Sequence, residues 1–283
     1  MKQIDGEYVG MFAIAHGAGE HALMVFAVSL VLSMFIVLSA WKLVQRYSLP
    51  PGNGNLSPKV LLLVNLAVSF AIIVGASALF AAIAAEIGAG ETLGRLDQAF
   101  ADGIASAVPI SVVRTFALVT HLGDAWMLAI WCVLGAAALT VRRRYALAIG
   151  FTLAIAGNGL LNTIVKHIFE RVRPVHDASI ATAAGWSFPS GHSSGALVTY
   201  GIIAYVLVRV LPEGWRLGVV VAATLIALTT ASSRVFLRVH FASDVLAGLA
   251  LGTVWLVACI LSIELTRRYW PMARPLARPR RQP

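Results

Sequence analysis

The sequence predicts an all-α fold, a polytopic membrane helix bundle, and three observations carry that prediction. Of 283 residues, 59% are hydrophobic and only 12% charged, against about 25% charged in soluble domains. Seven apolar runs have the length of a bilayer-crossing helix, for which about 20 residues are needed. Lysines and arginines gather in alternate breaks between those runs, the charge bias that orients membrane proteins.

Taken in order, the segment 1–20 carries Asp5, Glu7 and Glu20 against a single Lys2. A cleavable signal peptide has a basic start and a short apolar core. Here the first apolar run, 22–44, is longer and reads as a retained transmembrane helix. Pro50-Pro51-Gly52-Asn53-Gly54 then forces a loop, because Pro and Gly punctuate helices. The second run is 60–86. Between 91 and 123, Leu93, Leu96, Phe100 and Ile104 recur at helical spacing with Arg95, Asp97 and Asp102 between them. That pattern suits either a helix lying at the interface or a cap packed on the other helices, with Pro109 ending its first part. The third and fourth runs, 125–141 and 145–166, flank Arg142-Arg143-Arg144. The fifth and sixth, 193–211 and 217–233, flank the turn Pro212-Glu213-Gly214. The seventh is 243–265, and the tail from Pro271 reads as a disordered basic segment by its Pro and Arg content.

Alternating sides at each run puts Lys42, Arg46, Lys59, Arg142, Arg143, Arg144, Arg209, Arg216, Arg267, Arg268 and the tail arginines on one side. The rule for positive charge makes that side cytoplasmic, with the N-terminus outside and the C-terminus inside. The net charge of +9 is therefore topological, and no nucleic-acid partner follows from it. Cys132 and Cys259 fall inside apolar runs and read as inert buried thiols, with no disulfide or metal site.

Three polar clusters end apolar runs on the outer side: Lys166 with Arg173-Pro174, then Pro189-Ser190-Gly191-His192, then Ser233-Arg234 with His240 and Asp244. Ionisable groups at a membrane are costly and call for a reason. Phosphate supplies one, since its transfer depends on positioning and charge stabilisation. Lys166, Arg173 and Arg234 offer charge-assisted hydrogen bonds, Ser190 a hydroxyl, and Gly191 a closely approaching backbone N–H at the start of a helix. His240 and Asp244 stand four apart, so on one helix they would share a face. A carboxylate on one ring nitrogen leaves the other free to attack. His240 is then the nucleophile and His192 the proton-transfer group.

These three clusters resemble the three signatures of the type 2 phosphatidic acid phosphatase (PAP2) superfamily, with every signature position filled. The resemblance covers about 60–266 as a six-helix catalytic core. It leaves 1–59 as an N-terminal segment with an added helix and cytoplasmic loop, and 267–283 as a basic tail. It implies metal-independent dephosphorylation of a membrane lipid phosphate through a phosphohistidine, with no cofactor. His240, His192 and Asp244 would be catalytic; Lys166, Arg173, Ser190, Gly191 and Arg234 would bind phosphate. It further implies a bacterial cytoplasmic membrane with the site on the outer face. Undecaprenyl diphosphate, phosphatidylglycerophosphate and phosphatidic acid all fit as substrates. A lipid phosphotransferase shares the first half-reaction and stays open as an alternative.

Singly, each motif has a plainer reading: Lys166 as a snorkelling anchor, Arg173-Pro174 as an extended loop step, Ser233-Arg234 as an interfacial anchor. Their joint occurrence in order reverses that. Gly191-His192-Ser193-Ser194-Gly195 also spells G-x-S-x-G, but that elbow needs a strand before it and no strand pattern is near. His167, His176, Glu170 and Asp177 lack metal-ligand spacing and read as solvated loop. Arg114, Arg171 and Arg238 read as headgroup contacts or ordinary surface charge. A seven-helix receptor or transporter is the non-enzyme alternative, but a retinal protein needs a lysine in its last helix and 243–265 has none. A transporter needs ionisable groups at the midplane, whereas these lie at one surface.

Overall fold

A computed structural model describes residues 2–47, 58–89, 91–174 and 183–269. The described residues form ten α-helices and one 3-10 turn, with no strand among them. In order these are α1 (Lys2–Glu20), α2 (Ala22–Tyr47), α3 (Pro58–Ala89), α4 (Glu91–Ala107), α5 (Ile110–Val119), the 3-10 turn Thr120–Gly123, α6 (Ala125–Val141), α7 (Tyr145–Phe169), α8 (Gly191–Val210), α9 (Glu213–Phe236) and α10 (Ala242–Tyr269). The all-α prediction holds. The Pro50–Gly54 loop, His176, Asp177 and the tail from Pro271 lie outside the described residues.

Six helices are long and apolar enough to cross a bilayer: α2, α3, α7, α8, α9 and α10. The bent pair α4–α5 would make a seventh if taken as one broken span. The third run expected from sequence, α6, has only 17 residues, about 26 Å at 1.5 Å per residue, a little short of a 30 Å hydrocarbon core. The sixth run is longer than expected, because α9 takes in both Glu213 and Phe236. Large apolar side chains stay bare on α2 and α3, with Phe35 and Phe70 each 69% exposed. Water would not tolerate such faces and lipid would; the chain is a multi-pass membrane protein.

Lipid tails are as apolar as leucine, so close packing rather than transfer out of water holds such helices together. One core lies among α6, α7, α8 and α10, built on Leu139, Phe151, Ala154, Val198, Ile202 and Ile263. A second joins α2, α4, α5 and α9 through Ala22, Ile104, Phe116 and Phe236. There the Phe116 and Phe236 rings stack with centroids 4.2 Å apart.

The segment 91–123 is helical and also packs on other helices. Pro109 has no N–H to continue α4 and steers its predecessor away from helix, and the chain turns by 117° into α5. Against the sequence pattern, Asp97 does not lie on a polar outer face: it is 6% exposed. The helix α1 was not expected, and Gly103 of α4 lets it approach, since a Cβ there would stand 2.1 Å from the His16 carbonyl oxygen.

Candidate active site

The polar clusters converge because α7, α8, α9 and α10 run alternately up and down. The C-termini of α7 and α9 therefore meet the N-termini of α8 and α10. Phe188 anchors the loop before α8; fully enclosed, it packs between Phe80 of α3 and Phe169 of α7, at 5.5 and 5.0 Å between centroids. Ser190 then caps α8. Its hydroxyl accepts from the Ser193 N–H at 3.4 Å and from the Ser193 hydroxyl at 2.8 Å. The hydroxyl that sequence assigned to phosphate is thus 0% exposed and engaged in the helix cap.

His240 is positioned by the way α9 ends. Arg238 adopts a left-handed backbone (φ 53°), the conformation that closes many helix C-termini. This turn folds the chain back so that the Val239 and His240 N–H groups donate to the Arg234 carbonyl at 3.2 and 3.3 Å. His240 consequently precedes α10 rather than sharing a helical face with Asp244, which corrects the reading from spacing. The two still meet, with Nδ1 of His240 3.4 Å from Oδ2 of Asp244. That separation is long, and His240 Nδ1 makes no closer hydrogen bond. Asp244 also accepts from the Phe241 N–H at 3.0 Å, capping α10.

The tautomer of His240 follows from its other neighbour. An Arg173 terminal nitrogen lies 3.0 Å from His240 Nε2, and a guanidinium can only donate. Nε2 therefore carries the lone pair and Nδ1 the proton, which faces Asp244. Burial pushes the His240 imidazole down to about 3; Asp244 opposes this, and the charges of Arg173 and Arg234 add to the fall. The ring is neutral at physiological pH.

Of the three expected cations, Arg173 and Arg234 act on this ring, and Lys166 stands beside Arg173. Arg173 also donates to the carbonyls of Gly185 (3.0 Å), Ala184 (2.9 Å) and Val239 (2.7 Å). Lys166 shares the Trp186 carbonyl with it. Arg234 is buried, donates to the Thr120 hydroxyl at 2.8 Å and leaves its Nε without a partner. Among the described residues no carboxylate forms an ion pair with Lys166, Arg173 or Arg234. Gly191 sits tightly over Asn162, whose side-chain oxygen would lie 3.0 Å from a Cβ at that position.

Several partners were missed from sequence. His192 Nε2 lies 2.9 Å from Asp124 Oδ1. Asp124 is the N-cap of α6 and also binds His121 Nδ1 (2.7 Å) and the Trp126 indole N–H (3.1 Å). Burial alone would raise its carboxyl, but the hydrogen bonds from His121 and His192 hold it below the usual range. The only sequence signal was an acid just before an apolar helix. Arg171, read from sequence as headgroup contact or surface charge, is instead 9% exposed and bridges Asp244 Oδ1 (2.6 Å) to Asp97 Oδ2 (2.9 Å), its guanidinium 4.4 Å from the Phe241 ring centroid. Ser243 completes that network by donating to Asp97 through hydroxyl and N–H. Arg114 is exposed, as expected of a surface charge.

The profile of the PAP2 superfamily matches residues 146–268, a stretch that holds Lys166, Arg173, Ser190, His192, Arg234, His240 and Asp244. Lipid A 1-phosphatase of Rhizobium etli is 30% identical over 202 residues, covering 61% of this chain and 83% of that protein. The chain belongs to the PAP2 superfamily. Phosphatidylglycerophosphatase B of Bacillus subtilis is 38% identical over 137 residues, 47% of this chain and 66% of that protein. The crystal structure of a transmembrane PAP2 type phosphatidylglycerolphosphate phosphatase from Bacillus subtilis superposes with a TM-score of 0.64 at 30% identity, covering 70% of this chain and 98% of that one. Asp97 and Asp124, which brace the PAP2 site from α4 and α6, lie outside the matched profile.

Proposed function

We propose that this PAP2 chain hydrolyses a lipid phosphate or diphosphate through a phosphohistidine on His240. The observation that carries this is a neutral imidazole whose Nε2 lone pair faces Arg173, with Arg234 and Lys166 near it and no carboxylate paired to any of the three cations among the described residues, a pocket short of an anion. A phosphoryl group entering it takes the donors that Arg173 lends to His240, which frees Nε2. Nε2 then attacks phosphorus and the bond from phosphorus to the lipid oxygen breaks. His192, its imidazolium supported by Asp124, gives a proton to that leaving oxygen. In the second half, His192 takes a proton from water as the water attacks the phosphohistidine, releasing inorganic phosphate and restoring both rings. Lys166, Arg173, Arg234 and the N-terminus of α8 hold the equatorial oxygens, where preorganised donors act most strongly. No step calls on a metal, and activity is expected to survive EDTA.

A cavity of about 540 Å³ reaches His192 from between α6 and α7, walled by apolar Leu128, Val133 and Ile155. It suits the first part of a lipid tail. Phosphatidylglycerophosphate heads the substrate panel, with phosphatidic acid and undecaprenyl diphosphate beside it. The charge bias supports a site on the outer face, and the resemblance to bacterial proteins favours a bacterial cytoplasmic membrane.

The test is phosphate release from this panel, paired with rapid quenching of labelled substrate. Wild type should release phosphate and show an acid-labile, base-stable phosphoenzyme. His240→Ala should lose about a thousandfold or more in turnover and all of the phosphoenzyme, with its helical signal unchanged. Full activity in that variant would rule out the nucleophile.

A further inference from the structure

At the end of the bundle opposite His240, four arginines converge on a second cavity. It measures about 800 Å³ and is bounded by Arg144, Arg209, Arg216 and Arg267, with Trp41 and Tyr205 beside them. At this end Glu264 is engaged by Arg209 and by the Tyr205 hydroxyl and Glu213 stands in the first turn of α9, so four arginines against two acids keep an excess of positive charge.

Ordinary helix electrostatics account for only half of this set. Arg209 and Arg267 stand near the C-termini of α8 and α10, where cations are favoured. Arg144 is the N-cap of α7 and Arg216 lies in the first turns of α9. Those are positive helix ends, where a cation is disfavoured and an anion is welcome. Two helix N-termini and four guanidiniums thus border one cavity. Below them its wall is apolar, formed by Leu197, Gly201, Val220 and Leu256. From Leu197 to Arg209 the wall descends along α8 by about 18 Å at 1.5 Å per residue. His192 stands about 26 Å along α8 from Arg209 on the same scale, so one phosphate cannot occupy both ends.

We infer that this cavity is a second, non-catalytic site for a phosphoryl anion, and its apolar wall assigns it to the headgroup and upper chain of an anionic phospholipid. The guanidiniums would take the phosphodiester, and the acyl chain would lie against α8 and α9. The site is independent of the chemistry proposed for His240.

Native mass spectrometry of the full chain in detergent, with added dioleoylphosphatidylglycerol or dioleoylphosphatidylcholine, tests this. Wild type should retain one phosphatidylglycerol at about tenfold the occupancy of phosphatidylcholine. The double variant Arg144→Gln, Arg216→Gln should bring the two lipids level. Arg144→Lys, Arg216→Lys, which keeps the charge, should retain the preference in part. Equal retention of both lipids by wild type, or an undiminished preference in a folded glutamine variant, would overturn the site. If the glutamine variant does not fold, the comparison of lipids on wild type decides alone. An excess of inorganic phosphate separates the sources: a lipid that stays bound supports the headgroup assignment, and one displaced at millimolar phosphate overturns it in favour of the free anion.

Discussion

His240, the proposed nucleophile, is buried beside two guanidiniums, and the same burial sets its response to acid. The folded ring titrates near 3, the unfolded ring near 6.5. Between those values the unfolded chain binds the extra proton, so stability is fully present above about 6.5 and is lost as pH falls toward 3. Thermal denaturation in detergent should therefore shift to lower temperature between pH 7 and 4, and His240→Gln should flatten that dependence; an unchanged slope in the variant would count against a neutral buried ring. Asp124 would act through the proton transfer proposed for His192, to which it is hydrogen-bonded. Asp124→Asn should lower kcat by about a hundredfold and displace the limb of the pH–rate profile that belongs to His192, while KM changes little. A loss of kcat with an unmoved profile would reduce Asp124 to packing. At this scale the meeting of His240 with Asp244 was legible because the two are also close in sequence. Asp124 was not legible, since 68 residues separate it from His192 and only the fold brings them together. Arg171 looked like a surface cation for the same reason: both its carboxylates come from other elements.

The helices themselves were plain in the sequence, because a span must be apolar for its whole length. Less plain were the pieces that are helical without being uniformly apolar. The segment Lys2–Glu20 mixes glycine, histidine and acids and offers no long apolar run, yet it folds as α1 against α4. In α4 the apolar spacing was visible, but Asp97 reads as polar until Ser243 and Arg171 are in place. The junction of α8 and α10 fixes the site most directly. The Ser190 N–H donates to the Asp244 carbonyl at 3.0 Å, and a Cβ on Gly248 would lie 2.5 Å from the Ser190 carbonyl oxygen. Only hydrogen fits there. Gly248→Leu should part the two helices and lower activity by at least about a hundredfold through misplacement of His192 and Asp244. The check is activity alongside thermal stability; wild-type turnover in this variant would show that the close approach is dispensable. The buried triad of Asp97, Arg171 and Asp244 binds α4 to the same junction. Removing Arg171 alone leaves two carboxylates buried and uncompensated, at a cost of about 3–5 kcal/mol.

For the molecule as a whole, the charged ends of the spans make a prediction about sidedness. In a chain with Cys132 and Cys259 replaced by serine, a cysteine introduced at Arg143 should resist a membrane-impermeant thiol reagent in intact cells and react once the membrane is opened. A cysteine at Gly185, in the loop over the site, should react in intact cells. The reverse pattern would invert the proposed topology. The cavity at His192 carries a consequence for kinetics. It is bordered on its outer side by Val133, 66% exposed on α6, so its mouth is in the flank of the bundle rather than at its top. A tail that enters there arrives by lateral diffusion in one leaflet. The encounter then has two-dimensional order: its rate follows the mole fraction of substrate among neighbouring lipids, and adding inert lipid slows it even when the amount in the vessel is unchanged.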